Sequence, residues 1–181
     1  ADFAYSIPGV SRFRVNVFRH IAGIGAVFRA IPAKALSLDQ LNMPEAVRSL
    51  CRLNSGLILV TGKTGSGKST SLAAMLDLIN ETRHEHILTI EDPIEFLHRH
   101  KQCIVNQREL GADAQSFGLG LKGALRQDPD VILVGEMRDL ETISTALTAA
   151  ETGHLVFATL HTQDTAQTVD RIVDVFPPEQ Q

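Results

Sequence analysis

The amino-acid sequence predicts an α/β fold built on a mainly parallel sheet. From residue 56 onward, short apolar segments alternate with longer segments whose apolar residues recur every three or four positions. The short segments are apolar throughout, as strands are when helices cover both faces of a sheet. Residues 12–18 differ, because there polar and apolar residues alternate. The sequence therefore predicts a parallel α/β core preceded by part of a smaller, half-buried sheet.

The segment before the core is expected to be the end of another domain. Residues 12–18 and 26–31 read as two strands, with Gly23 and Gly25 forming the turn between them. We therefore expect residues 1–31 to be the end of the preceding domain. The chain begins without a methionine and enters a strand pattern almost at once, so we expect it to be part of a longer protein.

The linker and the core follow. Residues 32–37 are the predicted linker, and residues 38–181 are the predicted core, without its C-terminal part. Pro44 is expected near the start of the first helix, and Asp139 is expected to cap a later one. The predicted helices are 38–53, 68–82, 116–127, 139–151 and 165–176. The predicted strands of the core are 57–61, 86–90, 103–106, 131–134 and 155–159.

The composition argues against a nucleic-acid partner and against a membrane-spanning helix. The net charge is −4, aromatic residues make up 5% of the chain and there is no tryptophan. Nucleic-acid tracking needs a basic groove and, for single strands, aromatic stacking platforms. No apolar run approaches the length of about 18 residues that a membrane helix needs. The basic residues are nevertheless concentrated at the start, where residues 1–34 hold five of them against one acid.

Residues 62–69 carry the strongest motif, Gly-Lys-Thr-Gly-Ser-Gly-Lys-Ser, which fits G-x-x-x-x-G-K-[ST] at every fixed position. It follows an apolar strand and opens a predicted helix. Its glycines let backbone N–H groups surround phosphate oxygens, and the helix directs its positive end at the same anion. We expect Lys68 to reach the β- and γ-phosphates of ATP and Ser69 to ligate Mg²⁺. The remaining predicted nucleotide contacts are Gly62, Lys63, Thr64, Gly65, Ser66, Gly67 and Thr70.

Acidic residues follow two of the predicted strands, at the ends expected to face this loop. Glu91 and Asp92 end one strand, with Glu95 close behind, and Glu136 follows another. Ligands lie beyond the carboxyl ends of parallel strands. Glu136 stands in the position of the Walker B acid and is expected to act on Mg²⁺, through water. Glu91, Asp92 and Glu95 all remain candidates for orienting the attacking water.

Two histidines flank the last predicted strand. His154 precedes it and His161 follows it. Seven residues of strand span about 23 Å, so the two histidines cannot share a metal ion. The strand-end rule places His161 beside the phosphate loop and His154 at the opposite edge.

Four segments, in order, resemble the motifs of one known superfamily. They are GKTGSGKST at 62–70, ILTIEDPIEF at 87–96, ILVGEMRDLET at 132–142 and TAAETGHLVFATLHT at 148–162. Together they are similar to the Walker A, Asp box, Walker B and His box motifs of the type II/type IV secretion ATPases. VNQRE at 105–109 and VFP at 175–177 are similar to the branch that retracts type IV pili.

The resemblance implies a RecA-like P-loop NTPase core that hydrolyses ATP with Mg²⁺, preceded by the end of a small PAS-like α+β domain. It favours Glu95 as the catalytic glutamate of the Asp box. It places both His154 and His161 in the nucleotide site. It also implies that Arg12 and Arg14 reach the γ-phosphate, which fits the basic character of the first residues.

The same resemblance implies a setting and partners. These ATPases form hexameric rings in the bacterial cytoplasm, at the inner face of the inner membrane. There they act on an inner-membrane pilus platform protein, without inserting into the membrane and without a nucleic-acid partner.

Three other functions compete with pilus retraction. The chain could belong to an assembly or secretion ATPase of the same superfamily. It could be a RecA-like nucleic-acid translocase, which its negative charge disfavours. A P-loop small-molecule kinase is the third, and no segment of the sequence suggests its lid.

Overall fold

The computed structural model describes residues 1–32, 34–162 and 164–180, which form two separate β-sheets and five α-helices. Ala33 of the predicted linker, and Gln163 and Gln181 of the predicted core, lie outside the described residues. No helix in the described part of the chain is long and apolar enough to cross a membrane.

The N-terminal sheet has three antiparallel strands in sequence order, β1 (Asp2–Ile7), β2 (Ser11–His20) and β3 (Gly23–Ile31). The two predicted strands are confirmed and are longer than expected. The predicted turn at Gly23 and Gly25 is wrong, because both lie in β3 and the turn is Ile21–Ala22. Gly25 is paired with Phe18, and a Cβ at position 25 would come within 2.7 Å of that ring. The glycine therefore makes room for an aromatic side chain across the strands.

The core sheet has five parallel strands in the order β4-β8-β7-β5-β6, which confirms the predicted parallel α/β core. Because all five run in the same direction, their carboxyl ends meet at one edge. The strands are β4 (Gly56–Thr61), β5 (His86–Glu91), β6 (Ile104–Glu109), β7 (Val131–Val134) and β8 (Leu155–Leu160).

Helices cover both faces of this sheet. Alternate residues of each strand point to opposite faces, so Leu155 and Phe157 pack with α2 whereas Val156 and Ala158 pack with α3 and α4. All four of these side chains are fully buried. The helices are α1 (Glu45–Leu50), α2 (Lys68–Thr82), α3 (Phe117–Ala124), α4 (Leu140–Glu151) and α5 (Thr165–Val173), followed by a 3₁₀ turn at Pro178–Gln180.

The structure corrects several predicted helix boundaries. The helix expected at 38–53 is reduced to the six residues of α1, because Asn42 has a φ of 51° and Pro44 forms the N-cap. Turns occupy residues 38–42 instead. The helices predicted at 116–127 and 165–176 both end earlier, at Ala124 and Val173. Asp139 caps α4 as predicted, since its carboxylate accepts the backbone N–H of Thr142 at 2.9 Å.

Asn80 is a fully buried polar residue on α2 that the apolar pattern did not reveal. Its amide group donates to the carbonyl of Arg99 at 2.7 Å and accepts the N–H groups of Lys101 at 3.1 Å and Cys103 at 3.3 Å. One side chain thus satisfies the backbone of the segment that leads into β6.

We expect Asn80→Ala to lower the free energy of unfolding by about 2–4 kcal/mol, because three backbone groups, one of them buried, lose their hydrogen-bond partner. Urea unfolding of both proteins measures this change. Gln102→Ala is the matched control, since Gln102 is exposed on the same segment. That control should change stability by less than about 0.5 kcal/mol. Equal effects of the two substitutions would contradict the role of Asn80.

Candidate functional site

A cleft of about 510 Å³ opens at the carboxyl edge of the core sheet and faces the N-terminal sheet. It joins three parts of the chain: the loop before α2, the segments that follow β5, β7 and β8, and two arginines from β2 and β3. Its lining includes Thr64, Gly65, Gly67, Lys68, Ser69, Thr70, Glu91, Asp92, Glu95, Glu136, His161, Arg14 and Arg29. Most of the residues predicted to bind nucleotide therefore surround one space.

The loop predicted to bind phosphate, residues 62–67, leads directly into α2. Gly67 is the N-cap of this helix and has a φ of 95°, a left-handed conformation that favours glycine. The ammonium group of Lys68 donates to the carbonyl of Gly62 at 2.7 Å and to that of Lys63 at 3.1 Å. The loop is thus closed by its own lysine. Ser69 and Thr70 follow on the first turn and face the cleft.

The segment after β7 is fixed to the strands on either side. The backbone N–H of Gly135 donates to Ile90 of β5 at 2.8 Å, and its carbonyl accepts the hydroxyl of Thr159 of β8 at 2.5 Å. The N–H of Met137 donates back to the carbonyl of Thr159 at 3.1 Å. Glu136, between Gly135 and Met137, is held by these bonds at the floor of the cleft.

A chain of polar contacts links Glu136 to the phosphate loop through His161. His161 Nε2 lies 3.3 Å from Glu136 Oε1, and His161 Nδ1 lies 3.5 Å from the Lys68 ammonium. Lys68 has only donors, so Nδ1 accepts and the Nε2–H group donates to Glu136. His161 therefore connects Lys68 to Glu136, and it lies at the edge of the sheet that the sequence predicted for it.

Glu136 also pairs with Arg138, a residue that was not predicted to belong to the site. Partial burial acts to raise the pKa of Glu136. The hydrogen bond and charge of Arg138, together with the contact to His161, outweigh it and lower this pKa. The carboxylate is thus ionised at neutral pH and suited to a hard divalent cation. Arg138 stands two positions after Glu136 in the motif, and this spacing was the only sequence signal for it.

The three candidate acids after β5 have different environments. Glu91 is largely withdrawn from solvent, and its Oε1 accepts the hydroxyl of Thr89 at 2.7 Å and the amide of Gln107 at 3.2 Å. Burial raises the pKa of Glu91 despite these bonds. Asp92 and Glu95 are exposed and line the cleft. All three acids line the cleft, but Glu91 is bonded to its neighbours within the protein, whereas Asp92 and Glu95 are exposed.

The N-terminal sheet contributes a different pair of arginines from the predicted one. Arg14 lines the cleft as expected, and Arg29, which was not predicted, lines it as well. The two are direct partners across β2 and β3. Arg12 instead forms a salt bridge with Glu109, at 3.0 Å. The missing information was the strand register, which places Arg29 beside Arg14.

His154 lies at the amino end of β8, opposite the cleft. Its Nδ1 is 3.0 Å from the carbonyl of Ala149, at the end of α4. The placement agrees with the strand-end rule. Within this chain, the structure does not bring His154 together with the other predicted nucleotide-binding residues.

The family model described as Type II/IV secretion system protein matches residues 3–178. The chain belongs to this family. It is 62% identical, over 99% of its length, to the type IV pilus retractation ATPase PilT of Pseudomonas aeruginosa, and it spans 52% of that protein. It is 61% identical over 97% of its length to a twitching motility protein of Neisseria gonorrhoeae, of which it spans 47%.

A solved structure agrees with the sequence comparison. The crystal structure of the pilus retraction motor PilT with bound ADP superposes with a TM-score of 0.96 at 57% identity. The match covers 99% of this chain and 52% of that one. This agreement confirms the predicted α/β core and the small sheet that precedes it.

The buried Glu91 predicts a pH dependence of stability. Its folded pKa is raised above the ordinary value of 4.5, so above that pH the unfolded state binds fewer protons than the folded state. The free energy of unfolding therefore falls as the pH rises from 4.5 through the folded pKa. Glu91→Gln removes this titration. We expect the stability of the wild type relative to Glu91→Gln to decrease as the pH rises above about 4.5.

Urea unfolding across this range measures the difference. Glu151→Gln controls for the loss of a carboxyl, because Glu151 is exposed at the end of α4. If the free energy of unfolding of the wild type, minus that of Glu91→Gln, stayed constant or rose with pH, the raised pKa would be contradicted.

Proposed function

We propose that this chain is the ATP-binding and ATP-hydrolysing part of a motor subunit that powers type IV pilus retraction. The cleft carries the proposal, because a phosphate loop, acids from two strand ends and two arginines line one space. The 62% identity to a pilus retractation ATPase supports this function over pilus assembly or secretion. The net charge of −4 argues against a nucleic-acid track.

The phosphate loop accounts for nucleotide binding. The first residues of α2 line the cleft, where the free N–H groups and the positive end of the helix would favour the phosphates. The Lys68 ammonium donates to the carbonyls of Gly62 and Lys63 in the loop. A phosphate oxygen can replace these carbonyls as its acceptor. Its charge would then neutralise the β- and γ-phosphates of ATP.

A divalent cation fits beside Lys68. The Ser69 hydroxyl and the ionised Glu136 carboxylate, both lining the cleft, are the oxygen donors that Mg²⁺ prefers, with water completing the set. Mg²⁺ held there would neutralise charge that develops on the phosphate oxygens. His161 holds Glu136 in place and senses the same phosphates through its contact with Lys68.

Hydrolysis also needs an oriented water and a stabilised transition state. Glu95 is exposed to the cleft and is the proposed base that orients the water, with Asp92 as the alternative. Arg14 and Arg29 face it from the N-terminal sheet. Arginines delivered from a separate sheet stabilise transition-state charge only when that sheet is close, which couples hydrolysis to movement.

The wider assembly is part of the proposal. We expect a hexameric ring of such subunits at the cytoplasmic face of the bacterial inner membrane, where it would act on the pilus platform protein. The nucleotide-binding role of His154 requires a neighbouring subunit or a rearrangement, because within this chain it lies at the far end of β8.

Two substitutions separate binding from hydrolysis. Lys68→Ala should abolish ATP binding, because the loop loses the charge that faces the phosphates. Glu95→Gln should leave binding within about twofold and lower kcat by at least about 100-fold, as expected for loss of a general base. Binding is measured by isothermal titration with an ATP analogue, and turnover by phosphate release.

Lys122→Ala is the matched control, since Lys122 is exposed and pairs with Glu141 outside the cleft. Full turnover by Lys68→Ala would refute the site.

Motility separates retraction from assembly: the protein containing this chain should restore twitching to Pseudomonas aeruginosa lacking PilT. ATPase activity without restored twitching would favour an assembly or secretion role.

A further inference from the structure

Glu109 joins the N-terminal sheet to the loop that carries the Asp-box acids. It is the last residue of β6, and its Oε2 accepts two hydrogen bonds. One comes from the guanidinium of Arg12 on β2, at 3.0 Å, and the other from the backbone N–H of Ile94, at 3.1 Å. A single carboxylate oxygen thus connects two segments that are more than 80 residues apart in sequence.

The position of Ile94 makes this contact relevant to the cleft. Ile94 is adjacent to Glu95, whose carboxylate lines the cleft. The side chain of Ile94 is buried, so its backbone can be shifted only at a cost in packing. The bond from Ile94 to Glu109 therefore restricts where Glu95 lies relative to the phosphate loop.

Strand β6 holds the rest of the same loop through Gln107, two residues before Glu109. Its amide donates to Glu91 at 3.2 Å and to the carbonyl of Phe96 at 2.8 Å, and it accepts the N–H of His98 at 2.8 Å. Gln107 fixes the loop to the core alone. Glu109 fixes it to the core and, through Arg12, to the N-terminal sheet.

The Arg12–Glu109 pair is more than a surface ion pair. The two side chains are only 20% and 15% exposed. Exposed ion pairs contribute little, whereas removing one partner of a buried pair leaves an uncompensated charge. The Nε of Arg12 is buried without a hydrogen-bond partner among the described residues, so Glu109 is the acceptor that orients this guanidinium.

We propose that Arg12 is a positioning residue that transmits the placement of the N-terminal sheet to the catalytic loop. Arg12 and Arg14 lie on the same face of β2, so any displacement of the sheet that moves Arg14 in the cleft also moves Arg12. Through Glu109 and Ile94 that displacement reaches Glu95. The inference rests on the proposed role of this loop in ATP hydrolysis, and it assigns Arg12 to loop placement rather than to phosphate contact.

Hydrogen exchange tests the connection without using activity. In the protein with Arg12→Met, which keeps the apolar stem but removes the charge, the amide of Ile94 should exchange at least about tenfold faster. Amides in β7 and β8 should keep their protection. Arg12→Lys should recover part of the protection, because an ammonium can still donate to Glu109.

Steady-state kinetics gives the second readout. Arg12→Met should lower kcat about tenfold or more while KM for ATP stays within about twofold, since a displaced loop misplaces the base without altering the phosphate site. Glu109→Gln removes the charge but keeps an oxygen that can accept from Ile94, and it should have a similar effect. The double variant should be no worse than either single one, because both substitutions break the same Arg12–Glu109 ion pair. Arg19→Met is the matched control, because Arg19 is exposed on the same strand.

The outcomes separate this inference from the proposed function. Unchanged exchange at Ile94, or faster exchange throughout the core, would overturn the positioning role. A rise in KM with kcat unchanged would also overturn it and return Arg12 to phosphate binding. A wild-type protein that binds ATP but does not hydrolyse it would refute the proposed function, while the exchange of Ile94 would still decide whether Arg12 holds the loop.

Discussion

The parallel direction of the core strands is the constraint on which the candidate site depends. Strands β4, β5, β7 and β8 all end at one edge, so the residues that follow them meet although they are far apart in sequence. Hydrogen bonds from Gly135 to Ile90 and Thr159 then fix the position of Glu136 relative to the neighbouring strands β5 and β8. An antiparallel strand in this set would carry its functional residue to the opposite edge, where His154 lies.

Most of the fold could be predicted, because the apolar residues of buried helices and strands recur at regular spacings in the sequence. The bounds of α2 and β7 were predicted to the residue, since each is an apolar pattern between glycines or polar turns. The helix predicted at 38–53 failed because apolar spacing does not reveal that Asn42 adopts a left-handed conformation. Asn80 was missed for a related reason: its role is to form hydrogen bonds with backbone groups of Arg99 and Lys101, which come near it only in the folded chain.

The candidate site was predictable in its composition and less so in its geometry. Spacing predicted that residues of the loop at 62–69 and Glu136 lie together, and the structure brings them to one cleft. Spacing could not rank the three acids after β5, because they differ in burial: Glu91 is largely buried and bonds to Thr89 and Gln107, whereas Glu95 is exposed. Nor could it choose among the arginines. Strand register places Arg29 beside Arg14, and tertiary contact with Glu109 removes Arg12 from the cleft.

The most direct test is a crystal structure of the protein with Mg²⁺ and a non-hydrolysable ATP analogue. The account predicts phosphate oxygens within hydrogen-bond distance of the Lys68 ammonium and of the backbone N–H groups at residues 65–69. It also predicts the cation between Ser69 and Glu136, with Glu95 facing the γ-phosphate. A nucleotide bound elsewhere, or phosphates that contact the loop while Glu136 and Glu95 lie outside any water-mediated reach, would contradict it.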